Sequence, residues 1–283
     1  MKIAIVGLGL IGGSIGLALK KANKKNEVIG IPHQEKTINQ AIARQAIDWA
    51  TTDLKKGVAE ADIIFICTPL SLILQKIKEI APALKKGAIV TDVGSSKAEI
   101  VLNAEKLMPA GTYFIGGHPM AGKERVKLEA AEADLFKNKT YILAVTKKTN
   151  KQALSKLETI LKLLNCKIAK IDANLHDQVV AGISHMPLAV AAALVNSVAD
   201  TIKGNREMKE CAASGFRDTT RIASGDPELG IDMFTTNKDS VLRMLSAFKK
   251  SLVKIEKAIK AGNIRVIGAE LAKAKEFRDS IYS

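Results

Sequence analysis

Over the first 170 residues, short apolar runs alternate with stretches of helical periodicity. Residues 2–6, 28–31, 63–67, 88–91, 113–116, 141–145 and 167–171 read as strands. Residues 11–21, 36–45, 72–84, 97–107 and 151–164 carry apolar positions at helical spacing between them. Strands alternating with helices predict a mostly parallel sheet covered on both faces. After Asp172 the strand signals vanish. Residues 174–199 form one long helical pattern, interrupted by Pro187. Asp226-Pro227-Glu228 is a helix start, with Asp as cap and Pro in the first turn. Val241, Leu245, Phe248, Leu252, Ile255 and Ile259 then recur at spacings of four and three along a helix that Gly262 ends. A last helix turns Ile264, Ile267, Leu271, Ala274 and Phe277 to one side. The expected architecture is therefore α/β: a Rossmann-like, mostly parallel sheet domain over residues 1–171 and an all-helical domain over 172–283. Helical seams this long are hard to bury within one small domain, which predicts a symmetric dimer.

The 283 residues are 47% hydrophobic and 25% charged, the balance of an ordinary globular protein. No uninterrupted apolar run approaches the roughly 20 residues of a membrane span. Met1 leads directly into a strand and glycines, not into a leader-like segment, so no membrane association and a cytoplasmic location are expected. The net charge of +14 comes from lysines scattered over helical faces, and aromatic residues are only 4%. That pattern argues against nucleic-acid binding and for a positive field that gathers small anions. Cys67, Cys166 and Cys211 lie far apart without metal-site spacing and read as buried reduced thiols; no metal site is expected.

Chemistry concentrates where strands end. Gly7-Leu8-Gly9-Leu10-Ile11-Gly12 follows a strand and opens a helix, the setting in which GxGxxG binds a dinucleotide. Gly7 permits the tight turn, Gly9 leaves room for the pyrophosphate, and Gly12 lets the helix pack close. The amides of Leu10 and Ile11 open the helix, whose positive end faces the phosphates. The next strand ends in Pro32, His33 and Gln34, without the carboxylate that usually holds the adenosine ribose in NAD binders. His33 and Lys36 are suited to a 2′-phosphate, so NADP is expected over NAD. Cys67-Thr68-Pro69 ends a further strand at the same edge.

The strand after that leads to Asp92-Val93-Gly94-Ser95-Ser96-Lys97. Ser96 and Glu99 have the spacing of a capping box, which leaves Ser95 to face the cleft. Gly116-Gly117-His118-Pro119 presents an imidazole between glycines and a proline, a suitable proton acceptor near neutral pH. In the helical half, Arg221 is suited to hold a carboxylate, with Asp218 three residues away to orient it. His176 and His185, nine apart, fall on opposite faces of a straight helix, which argues against a shared metal.

Five segments, Gly7–Ser14, Asp92–Ser95, Gly117–Gly122, Ser184-His185-Met186-Pro187 and Gly215–Arg221, resemble the motif series of the prephenate/arogenate dehydrogenases, in order and nearly end to end. Within that family the chain is most similar to the cyanobacterial-type arogenate enzymes. The resemblance implies oxidative decarboxylation of a cyclohexadienyl acid. It also implies His118 as the base at the ring hydroxyl, Ser95 orienting that hydroxyl, and Arg221 holding the ring carboxylate. Ser184 and His185 would line the substrate side, Asp218 would hold Arg221, and the helical domain would form a homodimer. Where prephenate-preferring members often have Ser-His-Leu-Pro-His, this chain ends in Leu188, which points to arogenate, with prephenate weaker. Competing readings are a prephenate-preferring enzyme, another Rossmann reductase of the β-hydroxyacid dehydrogenase or imine reductase type, and a non-catalytic NADP sensor.

Overall fold

The computed structural model describes residues 1–23, 25–123, 127–201 and 206–282. Its core is an eight-stranded sheet built from β1 (Lys2–Val6), β2 (Glu27–Ile31), β3 (Trp49–Ala50), β4 (Ile63–Ile66), β5 (Ile89–Asp92), β6 (Tyr113–Pro119), β7 (Thr140–Val145) and β8 (Lys167–Asp172). The spatial order is β3-β2-β1-β4-β5-β6-β7-β8. Only the β6–β7 pairing is antiparallel. The first six strands give the 3-2-1-4-5-6 order of doubly wound dinucleotide folds. β4, Ile63–Ile66, is buried at every position because helices cover both faces of the sheet. Those helices include α1 (Leu10–Ala22), α2 (Lys36–Ala43), α3 (Leu54–Val58), α4 (Ile73–Ile80), α5 (Ala98–Leu107) and α6 (Lys151–Lys162).

Two features of the sheet depart from expectation. β3 is a two-residue edge strand that the pattern does not announce. β6 runs three residues beyond Gly116, so that His118 pairs with Ile142 and Pro119 with Tyr141. Cysteine burial also departs from expectation. Cys67 and Cys166 are half-buried, but Cys211 is exposed, because its helix α9 (Arg206–Cys211) has no buried residue.

The helical half begins with Asp172, whose carboxylate accepts from the Asn174 and Leu175 amides and caps α7 (Ala173–Val180). The single long helix expected here is divided. Ala181–His185 is a π turn, and α8 (Met186–Thr201) follows. Pro187 has no amide to give to the preceding turn, and the wider π turn takes up the irregularity just before it. The stretch 173–201 is 29 residues long with hydropathy 1.7, so by length and composition it does match a membrane span. Counting only uninterrupted apolar runs missed this. Yet His176, Asp177 and His185 within it are buried. α10 (Ser214–Thr220) and α11 (Pro227–Thr236) follow, the latter capped by Asp226 through the Glu228 amide.

The chain divides into two compact units, Met1–Asn237 and Lys238–Ser283. In the second, α12 (Lys238–Lys260) and α13 (Ile264–Tyr282) fold back on each other through a turn at Gly262, which has φ +60°. Lys254 and Glu270 pair across this hairpin. Much of its apolar seam is uncovered in the single chain: Ile264 is 83% exposed and Phe277 70%.

Gly117 is where the sheet is tightest. A Cβ there would stand 2.5 Å from the Asp92 carbonyl oxygen and 2.9 Å from Thr91 Oγ1. Main chain cannot step aside as a flexible side chain can. Gly117→Ala should therefore lower stability by about 1–3 kcal/mol, read as a fall in the thermal midpoint. An unchanged midpoint would show that β5 and β6 have slack.

Candidate active site

The carboxyl ends of β1, β2 and β4 are tied into one edge. The Gly7 amide donates to the Ile31 carbonyl at 2.9 Å, and the Cys67 amide to Val6 at 2.7 Å. Gly7 turns with φ +94°, and a Cβ on it would stand 2.6 Å from the Cys67 carbonyl oxygen. Gly9 is the residue before α1 and brings no side-chain cap, so the first amides of the helix, on Leu10, Ile11 and Gly12, are open to an acceptor. Thr68 Oγ1 is buried without a hydrogen-bond partner beside this loop, and Pro69 is exposed. A bare glycine turn, an uncapped helix start and an orphaned hydroxyl fit a dinucleotide phosphate. His33 and Gln34 are exposed just past β2, next to the buried Pro32. Burial, and to a smaller extent Asp92, push the Cys67 thiol far above its ordinary range, so it is no nucleophile.

At the end of β5, Asp92 organises the next loop. Its carboxylate accepts from the Gly94 amide at 2.9 Å and the Gly117 amide at 3.1 Å, and it pairs with Lys97 Nζ. Both side chains of that pair are fully buried. Burial lowers the Lys97 pKa, and the carboxylates of Asp92 and Asp177 oppose it. The expected capping box does not form: α5 begins at Ala98, and no side chain of its own segment caps it. Its cap comes from a distant helix instead. Asp177 Oδ1 accepts from the Lys97 amide at 2.7 Å, and Oδ2 from the Ala98 amide at 2.9 Å. Ser96 is thereby released to bond Thr236 Oγ1 at 2.9 Å. Ser95 is buried, and its Oγ has no hydrogen-bond partner.

His118 is only 8% exposed, because β6 continues through Pro119 and pairs with β7. It is not the open loop imidazole that the sequence suggests. Its Nδ1 lies 2.9 Å from His176 Nε2, with the rings in a T-shaped arrangement. His176 Nδ1 lies 2.7 Å from Asp177 Oδ1. Asn237 Nδ2 donates to the Asp177 carbonyl at 2.7 Å and lies 3.3 Å from His185 Nδ1. His185 is fully buried, and its Nε2 has no hydrogen-bond partner. In a straight helix nine residues would set His176 and His185 opposite each other. The extra residue of the π turn brings them to within roughly 80°. His118, His176, His185 and Ser95 thus share one buried neighbourhood. Asp92, Lys97, His176, Asp177 and Asn237 are the members that sequence reasoning passed over. The one available signal was a His-Asp pair inside an otherwise apolar helix.

The remaining candidates lie farther out. Ser184 is half-buried in the π turn. Arg221 opens a 3-10 turn, Arg221–Ser224, and is exposed. Asp218 accepts from Arg217 Nε at 3.1 Å, an exposed contact between chain neighbours. The expected role of Asp218 as the acid orienting Arg221 thus gives way to a pairing with the residue beside it.

Comparisons with known proteins agree with this geometry. Residues 15–170 match the family model described as prephenate dehydrogenase, nucleotide-binding domain, and residues 172–273 the prephenate dehydrogenase, dimerization domain. The chain is 36% identical over 280 residues to the prephenate dehydrogenase of Bacillus subtilis (strain 168), covering 99% of this chain and 76% of that protein. Synechocystis arogenate dehydrogenase is 38% identical, with a TM-score of 0.86 over 99% of this chain and all of the other (100%). Prephenate dehydrogenase from A. aeolicus, in complex with hydroxyphenyl propionate and NAD+, is 30% identical, with a TM-score of 0.92 over 99% of this chain and 98% of that one.

The buried histidines make stability depend on pH. Burial holds His118 well below its ordinary 6.5, with His176, Lys97 and His185 adding to the effect. Burial lowers His185 to about 4. Between those values and 6.5 the unfolded chain binds the protons. The stability held by neutral rings is therefore complete above pH 6.5 and is lost as pH falls through about 4. Unfolding free energy measured by denaturant titration should decline between pH 7 and 5, with a shallower slope in His185→Asn. Stability that rises on acidification in this window would contradict burial of uncharged rings.

Proposed function

The chain belongs to the prephenate dehydrogenase family, and from that premise we propose that it converts arogenate to tyrosine and carbon dioxide, in preference to prephenate, with NADP as the acceptor. The observation that carries this reading is the buried His118, held by His176 and lying in one pocket with the unpartnered Ser95 Oγ and His185 Nε2. A neutral imidazole there is poised to take the proton of the ring hydroxyl as the carbon beneath it is oxidised. The bound nicotinamide supplies the hydride acceptor. His118 Nε2 takes the hydroxyl proton while the carbonyl forms. Carbon dioxide then leaves from the para carbon, its bonding electrons complete the aromatic ring, and the proton returns to the oxygen. One hydride is transferred and no proton is released overall. Ser95 orients the hydroxyl, Ser184 and His185 line the substrate side, and Arg221 holds the ring carboxylate.

The cofactor preference rests on the end of β2. Pro32, His33 and Gln34 stand where a carboxylate would select free ribose hydroxyls, and Lys36 is exposed nearby. The A. aeolicus relative is described with NAD+, so this preference is read from this chain's own residues. The working unit we propose is a cytoplasmic homodimer. Residues 1–171 hold the dinucleotide and 172–283 serve substrate and dimer contact. A second copy is the natural cover for Ile264 and Phe277, within the region that matches a dimerization domain.

The deciding assay crosses arogenate and prephenate with NADP and NAD and follows reduced cofactor. Turnover should be greatest with arogenate and NADP. His118→Asn should lower kcat by about 10²–10⁴-fold with cofactor Kd unchanged. No turnover in any of the four pairings would reject the proposal, and near-native kcat in His118→Asn would remove that residue from the chemistry.

Substrate choice turns on Leu188, a half-buried residue of α8 that packs over Gly230. It can neither donate a hydrogen bond nor carry charge, so it offers no contact to the side-chain carboxylate of prephenate. Arogenate carries an ammonium beside that carboxylate and depends less on a cationic partner. Leu188→His should move the ratio of kcat/KM values towards prephenate, by about tenfold for 1.4 kcal/mol of differential stabilisation. A native preference for prephenate of tenfold or more would sink the assignment.

A further inference from the structure

His118 does not stand alone, and the groups behind it determine which of its nitrogens is a base. Asp177 accepts two main-chain amides, from Lys97 and Ala98, which fixes its carboxylate as an acceptor and locks its orientation. His176 Nδ1, 2.7 Å from Asp177 Oδ1, therefore carries a hydrogen and donates it. A neutral His176 protonated on Nδ1 has a bare Nε2, and that atom faces His118 Nδ1 at 2.9 Å. His118 must then be the donor in this contact. Its proton sits on Nδ1, and its Nε2 lone pair is left free.

We infer that His176, anchored by Asp177, is the positioning residue that holds His118 in the Nδ1–H form with Nε2 unprotonated, and that it supports the positive charge on His118 while the substrate proton is held. This rests on the reading of His118 as the base. The reaction supplies the reason for such support. The proton taken from the hydroxyl is returned to the same oxygen after decarboxylation, so the imidazolium must persist between the two steps. Lys97, His185, Asp92, Asp177 and His176 are the charged or titratable groups around it. Among them the nearest negative charge in line with His118 Nδ1 is Asp177, reached through His176. The Asp92 charge is already engaged by Lys97. A carboxylate behind a histidine fixes tautomer and orientation in hydrolytic triads, and its loss there costs about 10⁴-fold. Here a second imidazole is interposed.

The test has two readouts. The chain has four histidines, His33, His118, His176 and His185, so long-range proton–nitrogen spectra of histidine-labelled full-length enzyme can assign each tautomer. Native His118 should show a protonated Nδ1 and a bare Nε2. His176→Leu should lose that preference and lower kcat by about 10²-fold or more, with substrate KM and cofactor Kd within about threefold. His176→Gln places an amide oxygen where it accepts from His118 Nδ1. It should restore the tautomer and recover part of kcat, and it also serves if the leucine variant fails to fold. The inference is overturned if native His118 is protonated on Nε2, or if folded His176→Leu keeps kcat within about threefold of the native enzyme. If the native enzyme turns over neither cyclohexadienyl acid, the proposed function fails on its own, and the spectra still decide the tautomer.

Discussion

The carboxylate of Asp177 accepts the amides of Lys97 and Ala98 and holds His176 Nδ1, and the organisation of the site follows from these three bonds. They start α5, which carries Val101 against the strand of His118. They fix α7 on the sheet, although α7 belongs to the part of the chain that matches a dimerization domain. They also orient the imidazole behind His118. An uncapped helix start and a buried charge would each cost free energy alone. Set against one another, they satisfy each other. The same logic repeats one layer deeper, where the buried Lys97 ammonium meets Asp92 and Asp92 also caps the Gly94 and Gly117 amides. Removing one partner of such a buried pair typically costs about 3–5 kcal/mol, because the other charge stays behind.

This arrangement also explains why a chain with a +14 net charge keeps so polar a centre dry. The three imidazoles are buried among two carboxylates and one ammonium that neutralise one another locally. Screening by salt reaches such groups poorly, so their electrostatics are set by the fold rather than by the medium.

How much of this was legible from residues alone differs by kind. The parallel sheet was legible because β1, β4 and β5 are short apolar runs bounded by turns, and GxGxxG sat in its proper setting between β1 and α1. His118 stood out because glycine and proline flank it. Its burial was not legible, since that depends on β6 pairing antiparallel with β7, a contact some 25 residues away in the chain. Ser96 and Glu99 gave a local capping signal that lost to Asp177, eighty residues on in sequence. The part played by His176 was hidden for a geometric reason: helical phase computed at 3.6 residues per turn fails wherever a wider turn intervenes.

The π turn at Ala181–His185 has a consequence for how this chain tolerates changes in length. A regular helix can lose a surface residue and remain a helix. Here the surplus residue is what keeps His185 in register with His176. Deleting any one of Ala181, Gly182 or Ile183 would let the ladder close as an ordinary α-helix, with every hydrogen bond improved. It would also turn Ser184, His185 and all of α8 by about a quarter turn or more away from the sheet. Such a protein would be a better helix and a worse enzyme, with its motif spelled out in full and facing the wrong way. The irregularity therefore acts as a frame marker for the helical half: the spacing between its motifs is constrained as tightly as their residues.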